Sequence, residues 1–254
     1  MQRITPVSVS LALCDLPYSK TDCHWDTPVN LKSLWFWLRI IMKPGGVVVF
    51  TAVQPFTTTL VNSNPEGFKY TYVWIKRQAA NFQLARKMPL KKHEDVLVFY
   101  DKRPVYHPQM HWGPMKAKRI GAEIYQPRKT ECFLASRPAN LSLVNSDIYY
   151  PTTILDIPGL PRNKSLHRTQ KPVELFEFFI ATYTNPGDLV LDPCAGVGTA
   201  AVACARAQRQ FIGFEKDASI FATGLRHVNE KAPGFLCPLV TNCKTIATTQ
   251  IVTN

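Results

Sequence analysis

The sequence predicts an α/β domain built on a mostly parallel, helix-covered sheet, and three observations point that way. Residues 189–214 read as strand, glycine-bearing turn, helix and strand, a βαβ unit that requires parallel pairing. Val7–Cys14 reads as a buried strand, and Val47–Thr51 reads as a strand after a turn signal. The chain has 254 residues of which 46% are hydrophobic, enough for one large α/β domain or two small ones.

In order along the chain, Val7–Cys14 alternates and then turns apolar, like a buried strand, and runs into Asp15-Leu16-Pro17-Tyr18. Leu31, Leu34, Trp35, Leu38 and Ile41 recur at spacings of three and four, which predicts an amphipathic helix within Val29–Ile41. Lys43-Pro44-Gly45-Gly46 is a turn signal, followed by a strand at Val47–Thr51. Gln54–Asn62 is expected as a helix, Tyr70–Ile75 as a strand, and His93–Tyr100 ends in a strand-like run. From about Lys102 to Arg162 prolines recur and the pattern fades; a loop this long inside a compact domain is usually functional. Regularity returns with a helix over Pro172–Tyr183, a strand at Leu189–Asp192, a helix from Thr199 to about Gln208 and a strand at Gln210–Phe214. The tail from Lys231 to Asn254 carries no readable signal.

Lys and Arg outnumber Asp and Glu 30 to 18, and the excess is local: residues 76–137 hold 14 basic and 5 acidic side chains. Aromatic residues interleave with that charge, which suits a polyanion bound by counterion release, although a solvated basic face reads the same way. Seven cysteines without CxxC spacing, and no His pair to complete a zinc set, predict reduced, intracellular thiols and no metal. The most apolar stretch, Leu34–Phe50, is broken by Arg39, Lys43, Pro44 and Gly45-Gly46, so no membrane span is expected.

Two strand ends carry chemistry. At Asp192-Pro193-Cys194-Ala195-Gly196-Val197-Gly198-Thr199 a buried strand ends in a carboxylate, two glycines bracket one residue, and a helix opens. Glycine permits positive φ and close approach of a ligand, and the carboxyl end of a parallel strand is the usual ligand crevice. Glu215 ends the next strand 23 residues after Asp192, about the offset at which an acid grips ribose hydroxyls. The glycines alone fit a structural turn; with both acids, a nucleoside-bearing cofactor is the better reading. At Asp15-Leu16-Pro17-Tyr18 the residue types suit a flat, conjugated amine. Two acceptors, the Asp15 carboxylate and the Leu16 carbonyl, would draw its nitrogen toward tetrahedral geometry and localise the lone pair. Pro17 restricts Leu16 to extended conformations, and Tyr18 offers a face for an extruded base. Read alone, four such residues equally describe an ordinary loop.

Together with His167-Arg168-Thr169-Gln170-Lys171-Pro172, these two segments look like the catalytic, cofactor-flanking and cofactor-binding motifs of the DNA amino-methyltransferases. Their order resembles the permuted β group of that family, and residues 74–109 are similar to phage and prophage members. The resemblance implies a Rossmann-like S-adenosylmethionine-dependent methyltransferase fold with helices on both faces of the sheet and circularly permuted motifs. It implies one catalytic domain over 1–254 with an inserted target-recognition region at about 102–162. Asp15, Leu16, Pro17 and Tyr18 would hold and activate the target base. Gly196, Gly198 and Thr199 would cradle the methionine part of the cofactor, Asp192 and Cys194 would lie beside it, and Glu215 would bind the ribose. His167, Thr169, Gln170 and Lys171 would flank it, with Lys171 near the cofactor carboxylate. Leu16 stands where the family usually has proline, and Cys194 where it usually has an aromatic residue.

The implied reaction is direct methyl transfer to a flipped base in double-stranded DNA, with no covalent enzyme adduct. An acidic first motif residue resembles the adenine-modifying members, and the cytosine amino nitrogen stays open. An intracellular, bacterial-cytoplasmic setting is expected, while a homodimer, a restriction–modification partner and a phage or prophage origin stay open. Three other classes compete. A protein-glutamine methyltransferase would carry its cofactor motif first. A dehydrogenase would carry a third glycine. A non-catalytic DNA-binding protein on a decayed methyltransferase would lack cofactor binding.

Overall fold

In this computed structural model the described residues are 4–18, 29–80, 82–113, 147–161, 163, 165–236 and 239–240. They form, in order, β1 (Val9–Cys14), α1 (Leu31–Ile41), β2 (Met42–Ala52), α2 (Phe56–Ser63), β3 (Phe68–Ala80), β4 (Lys91–Phe99), β5 (His111–Trp112), β6 (Ile148–Tyr149), β7 (Ile154–Leu155), α3 (Val173–Tyr183), β8 (Leu189–Asp192), α4 (Thr199–Arg206), β9 (Gln210–Phe214), α5 (Ala218–Lys231) and β10 (Leu239–Val240). By contact density the chain divides into two units, Met1–His107 with Thr152–Asn254, and Pro108–Pro151.

The first unit is built on an eight-stranded sheet of order β10-β9-β8-β1-β2-β4-β3-β7. Strands β10, β9, β8, β1 and β2 run parallel, β4 is antiparallel to both of its neighbours, and β7 pairs parallel with β3. Side chains alternate across a strand, so each run of apolar residues feeds two cores. Leu11, Leu13, Val47, Val49, Val96, Val98 and Val190 face the cluster filled by α3 and α4 (Phe176, Phe179, Ile180, Ala201, Val202). Ala12, Cys14, Val48, Phe50, Leu97, Phe99 and Leu191 face the cluster filled by α1 and α2 (Leu34, Trp35, Leu38, Leu60). Both faces are therefore covered by helices, which explains the strands' unbroken apolarity.

Local chemistry fixes the helix starts. Asn30 accepts the Ser33 N–H and caps α1, Asp217 accepts the Ser219 and Ile220 N–H groups and caps α5, and Pro172 sets an extended entry to α3. Three sequence expectations are corrected. The Lys43–Gly46 turn lies inside β2, where a bulge takes the register from Val9↔Met42 to Leu11↔Val47 and Gly45 supplies a φ of +77°. Strand β3 runs well past Ile75, because it forms a long hairpin with β4 whose outer residues need no apolar pattern. The tail contributes β10, a two-residue edge strand on β9 too short to leave a periodicity.

Within the second unit, β5 and β6 pair antiparallel, His111 stacks on Tyr149 with ring centroids 5.8 Å apart, and the Gly113 N–H donates to the Asp147 carbonyl. Most of the expected target-recognition stretch, residues 114–146, lies outside the described residues, as do His24, Trp25 and residues 241–254. Residues 102–107 and 152–161 belong to the first unit. No helix among the described residues is long and apolar enough to cross a membrane.

Candidate active site

Because β1 and β8 are parallel neighbours, with Ala12 opposite Leu191, the chain leaves both at the same edge of the sheet, Asp15 just past one and Asp192 at the end of the other. Around Asp15 the side chains are densely linked. Its Oδ1 accepts from the hydroxyl of Thr51, at the end of β2, and from the Lys171 ammonium at 2.8 Å. The Tyr18 hydroxyl lies 3.0 Å from both Asp15 Oδ1 and Thr51 Oγ1. Among the described residues Asp15 Oδ2 accepts from Lys171 alone, also at 2.8 Å, and the side chain keeps 21% of its surface exposed. One oxygen is thus saturated and the other has a lone pair to offer. Leu16 turns its side chain into the α1/α2 core, and the Tyr18 ring packs against Phe56 at 5.6 Å.

Lys171 enters this network because Lys171-Pro172 precedes α3, which buries Leu175, Phe176, Phe179 and Ile180 against the sheet. Behind it stands Glu94 of β4, whose Oε2 is 3.6 Å from the Lys171 nitrogen and whose Oε1 accepts from Lys76 of β3 at 2.6 Å. Lys171 and Glu94 are almost wholly buried, so their charges must be balanced internally. Burial alone would push the Lys171 ammonium down; the carboxylates of Asp15 and Glu94 outweigh it and hold it well above its ordinary value. Burial would raise Glu94, but Lys171 and Lys76 bring it below the usual carboxylate range. Burial, reinforced by Asp15, raises the Tyr18 phenol, so it stays protonated and able to donate.

The turn after β8 works through its backbone. Gly196 and Gly198 have φ of +52° and +74°, a conformation that side chains oppose. A Cβ on Gly198 would strike Val228 at 2.8 Å, and one on Gly224 would reach the Gly196 carbonyl at 3.0 Å, so α5 lies directly against the turn. A Cβ on Gly196 would meet no atom within 4 Å, leaving open space beside that backbone. Glu215, past β9, accepts the Gly196 N–H at 2.9 Å through one oxygen and the Asp217 N–H through the other. Asp192 accepts the Cys194 N–H at 3.0 Å. Burial, with the negative charges of Asp15 and Glu215, pushes the Asp192 carboxyl up to about 8. The Cys194 and Cys14 thiols are likewise raised by burial and by Asp192, which keeps them from serving as thiolates.

The structure therefore brings Asp15, Tyr18 and Lys171 into one cluster and Asp192, Cys194, Gly196, Gly198 and Glu215 into another. Gln170, next to Lys171 in the chain, donates its amide N–H to Thr199 Oγ1 at 3.4 Å and accepts the Leu166 N–H through its amide oxygen. His167 and Thr169 instead meet each other, at 3.0 Å. Lys171, expected near a cofactor carboxylate, has its ammonium on Asp15. Thr51, Lys76 and Glu94 were not expected in the site. A polar residue closing the run Val47–Phe50 and a pair of acids, Glu94-Asp95, before the run Val96–Phe99 are the sequence signals for Thr51 and Glu94. Among the described residues, no group of three or more His, Cys, Asp or Glu could hold a metal ion.

A family model of DNA methylases, the N6/N4 methyltransferases, matches residues 14–225. The chain belongs to this DNA methylase family. The match takes in both strand ends and the Lys171 segment. Type II methyltransferase M.HpaI of Haemophilus parainfluenzae is 24% identical over 245 residues, covering 92% of this chain and 73% of the relative. Type II methyltransferase M.HindIII of Haemophilus influenzae is 37% identical over 196 residues, covering 73% of this chain and 63% of that relative. The fold is shared with TTHA0409 of Thermus thermophilus, solved in complex with S-adenosyl-L-methionine. That likeness has a TM-score of 0.60 at 21% identity and covers 96% of this chain and 95% of the other.

Proposed function

We propose that this DNA methylase transfers a methyl group from S-adenosylmethionine to the exocyclic amino nitrogen of adenine in double-stranded DNA. The observation that carries the reading is the adjacency of two strand ends. An acceptor for an amino group follows β1, and an acidic, glycine-lined turn follows β8, its neighbour in the sheet.

The second of these suits the cofactor's chemistry. Asp192 and Glu215 have no ion pair among the described residues, and a carboxyl that burial pushes up to about 8 would be drawn into its charged form by a ligand bearing a sulfonium and an ammonium. The space beside Gly196 admits a ligand against the backbone. Asp192 would hold the ammonium end, the Gly196–Thr199 turn with Cys194 the methionine part, and Glu215 the ribose hydroxyls. Gln170, through Thr199, steadies the opening of α4, with His167 and Thr169 on the flank. When bound, S-adenosylmethionine supplies the methyl group as a positively charged, electrophilic donor.

On the other side, Asp15 Oδ2 and the Leu16 carbonyl accept the two amino hydrogens of a flipped base and localise the nitrogen lone pair. The Tyr18 ring, pinned through its hydroxyl, stacks on the base. Positioning and fixed charge provide the acceleration, and no thiol takes part. Asp15, rather than serine, at the head of the motif favours adenine over cytosine.

The DNA surface follows from charge. Residues 68–93 of the β3–β4 hairpin contain seven Lys and Arg and no acid, and Arg77, Arg86, Lys87 and Lys92 are exposed. The hairpin leaves the sheet at the edge where β2 ends, since Ala52 pairs with Asp95. It is placed to grip phosphates beside the base pocket, while the region around 102–162 reads sequence. Labelled-methyl transfer to unmethylated DNA, followed by nucleoside mass spectrometry, tests the reading. N6-methyladenine is expected; N4-methylcytosine would correct the base, and no methylated nucleoside would overturn the proposal.

A further inference from the structure

Glu94 presents a problem that the reaction as described does not use. It is a buried carboxylate on β4, 12% exposed, and its Oε2 has no hydrogen-bond partner among the described residues. A buried acceptor left unmatched is costly, so its retention calls for a role. Its neighbours define one. Oε1 is anchored by Lys76 at 2.6 Å, and Oε2 faces the Lys171 nitrogen at 3.6 Å, beyond hydrogen-bond reach but within an ion pair. Lys171 in turn directs two of its three protons to the two oxygens of Asp15.

We propose that Glu94 is a positioning residue of the methyl-transfer site: anchored by Lys76, it holds the Lys171 ammonium behind Asp15 and accepts its third proton when Asp15 turns a lone pair to the base. The proposal rests on the methyl-transfer reading above. When the base amino group donates to Asp15 Oδ2, the hold of that oxygen on Lys171 weakens. A retreat of Lys171 by about 1 Å brings it into normal hydrogen-bond range of Glu94 Oε2. No charge is stranded, because Asp15 and Glu94 together match Lys171 and Lys76. The groups facing Lys171 are Asp15 and Tyr18 beyond β1 and Glu94 on β4, with Lys76 of β3 on the far side of Glu94. No proton changes hands in this shift; only the partner of the ammonium changes.

The test compares wild type, Glu94→Gln, Lys171→Met, their double variant and Lys76→Met on unmethylated DNA. It reads cofactor affinity, KM for DNA, and the single-turnover rate of methyl transfer against pH. For Glu94→Gln, cofactor affinity and KM within threefold of wild type and a rate lowered tenfold or more are expected. The alkaline limb of its rate profile should move to lower pH, since Lys171 loses one of the two carboxylates that keep it charged against burial. In the Lys171→Met background Glu94→Gln should add less than twofold, because Glu94 acts through Lys171. Lys76→Met should show a smaller loss in the same sense, and it serves as the probe should Glu94→Gln fail to fold. An unchanged rate and pH profile in a folded Glu94→Gln, or a full independent loss in the Lys171→Met background, would overturn the proposal. A wild type that binds cofactor yet methylates no DNA would instead overturn the reading beneath it.

Discussion

The strand ends that meet at the site solve the problem of buried charge in opposite ways. Beyond β1, two carboxylates, Asp15 and Glu94, are matched by two ammonium groups, Lys171 and Lys76, with Thr51 and Tyr18 saturating Asp15 Oδ1. That side is balanced before any substrate arrives. Beyond β8, Asp192 and Glu215 are held, among the described residues, by backbone N–H groups alone, and the cost appears as a carboxyl pushed up to about 8. The first arrangement suits a neutral partner such as a base, which needs orientation and brings no charge. The second suits a cation, which supplies the missing balance on binding. Preorganisation thus falls on the base side, and electrostatic complementarity is deferred to the cofactor.

The largest effect should come from breaking the backbone on which the cofactor side depends. Gly198→Ala places a side chain at φ +74° and against Val228, a conformational cost of about 1–2 kcal/mol before the clash is relieved. Calorimetry should find cofactor affinity lowered thirtyfold or more. An affinity near wild type would mean that the turn does not shape the cofactor site.

Asp192→Asn is a finer probe. In the free protein Asp192 is raised from the ordinary carboxylate range to about 8, so between those values the folded state retains a proton that the unfolded chain releases. Folded stability from this group therefore declines as pH rises through that window. A bound cation favours the charged form, so below pH 8 binding should expel a proton and affinity should increase with pH, levelling above it. Titrations in buffers of different ionisation heat should detect that proton in wild type and not in Asp192→Asn, whose affinity should fall about tenfold, as expected for one lost charge-assisted contact. Equal proton release by both would place the linkage on another group.

The contrast also explains what was legible in the sequence. The glycine turn is local: carboxylate, glycines and helix start are consecutive, and Glu215 follows at a fixed offset. The parallel, helix-covered sheet was readable because residues 189–214 run strand, turn, helix and strand, which requires a crossover. Cover on both faces was implied by the family resemblance. The base-side network is not local. Thr51 meets Asp15 through the parallel pairing of β2 with β1, Glu94 and Lys76 join them through the antiparallel placement of β4 between β2 and β3, and a single sequence does not show strand order. Lys171 was marked by its motif, yet its partner was not, because direction at a helix entry depends on how α3 packs. The hairpin extension of β3 and the edge strand β10 carry too little apolar pattern to register.

The most direct test of the account is Asp15→Ala, which removes the acceptor on the balanced side and keeps every side chain and backbone N–H of the cofactor side in place. Cofactor affinity should stay within about threefold of wild type while methyl transfer to DNA falls by about 100-fold or more, the scale of removing one preorganised polar group. Substantial methylation by Asp15→Ala would contradict the assignment of the β1 strand end to the base. Equal losses of binding and transfer would show that the two strand ends do not divide the work.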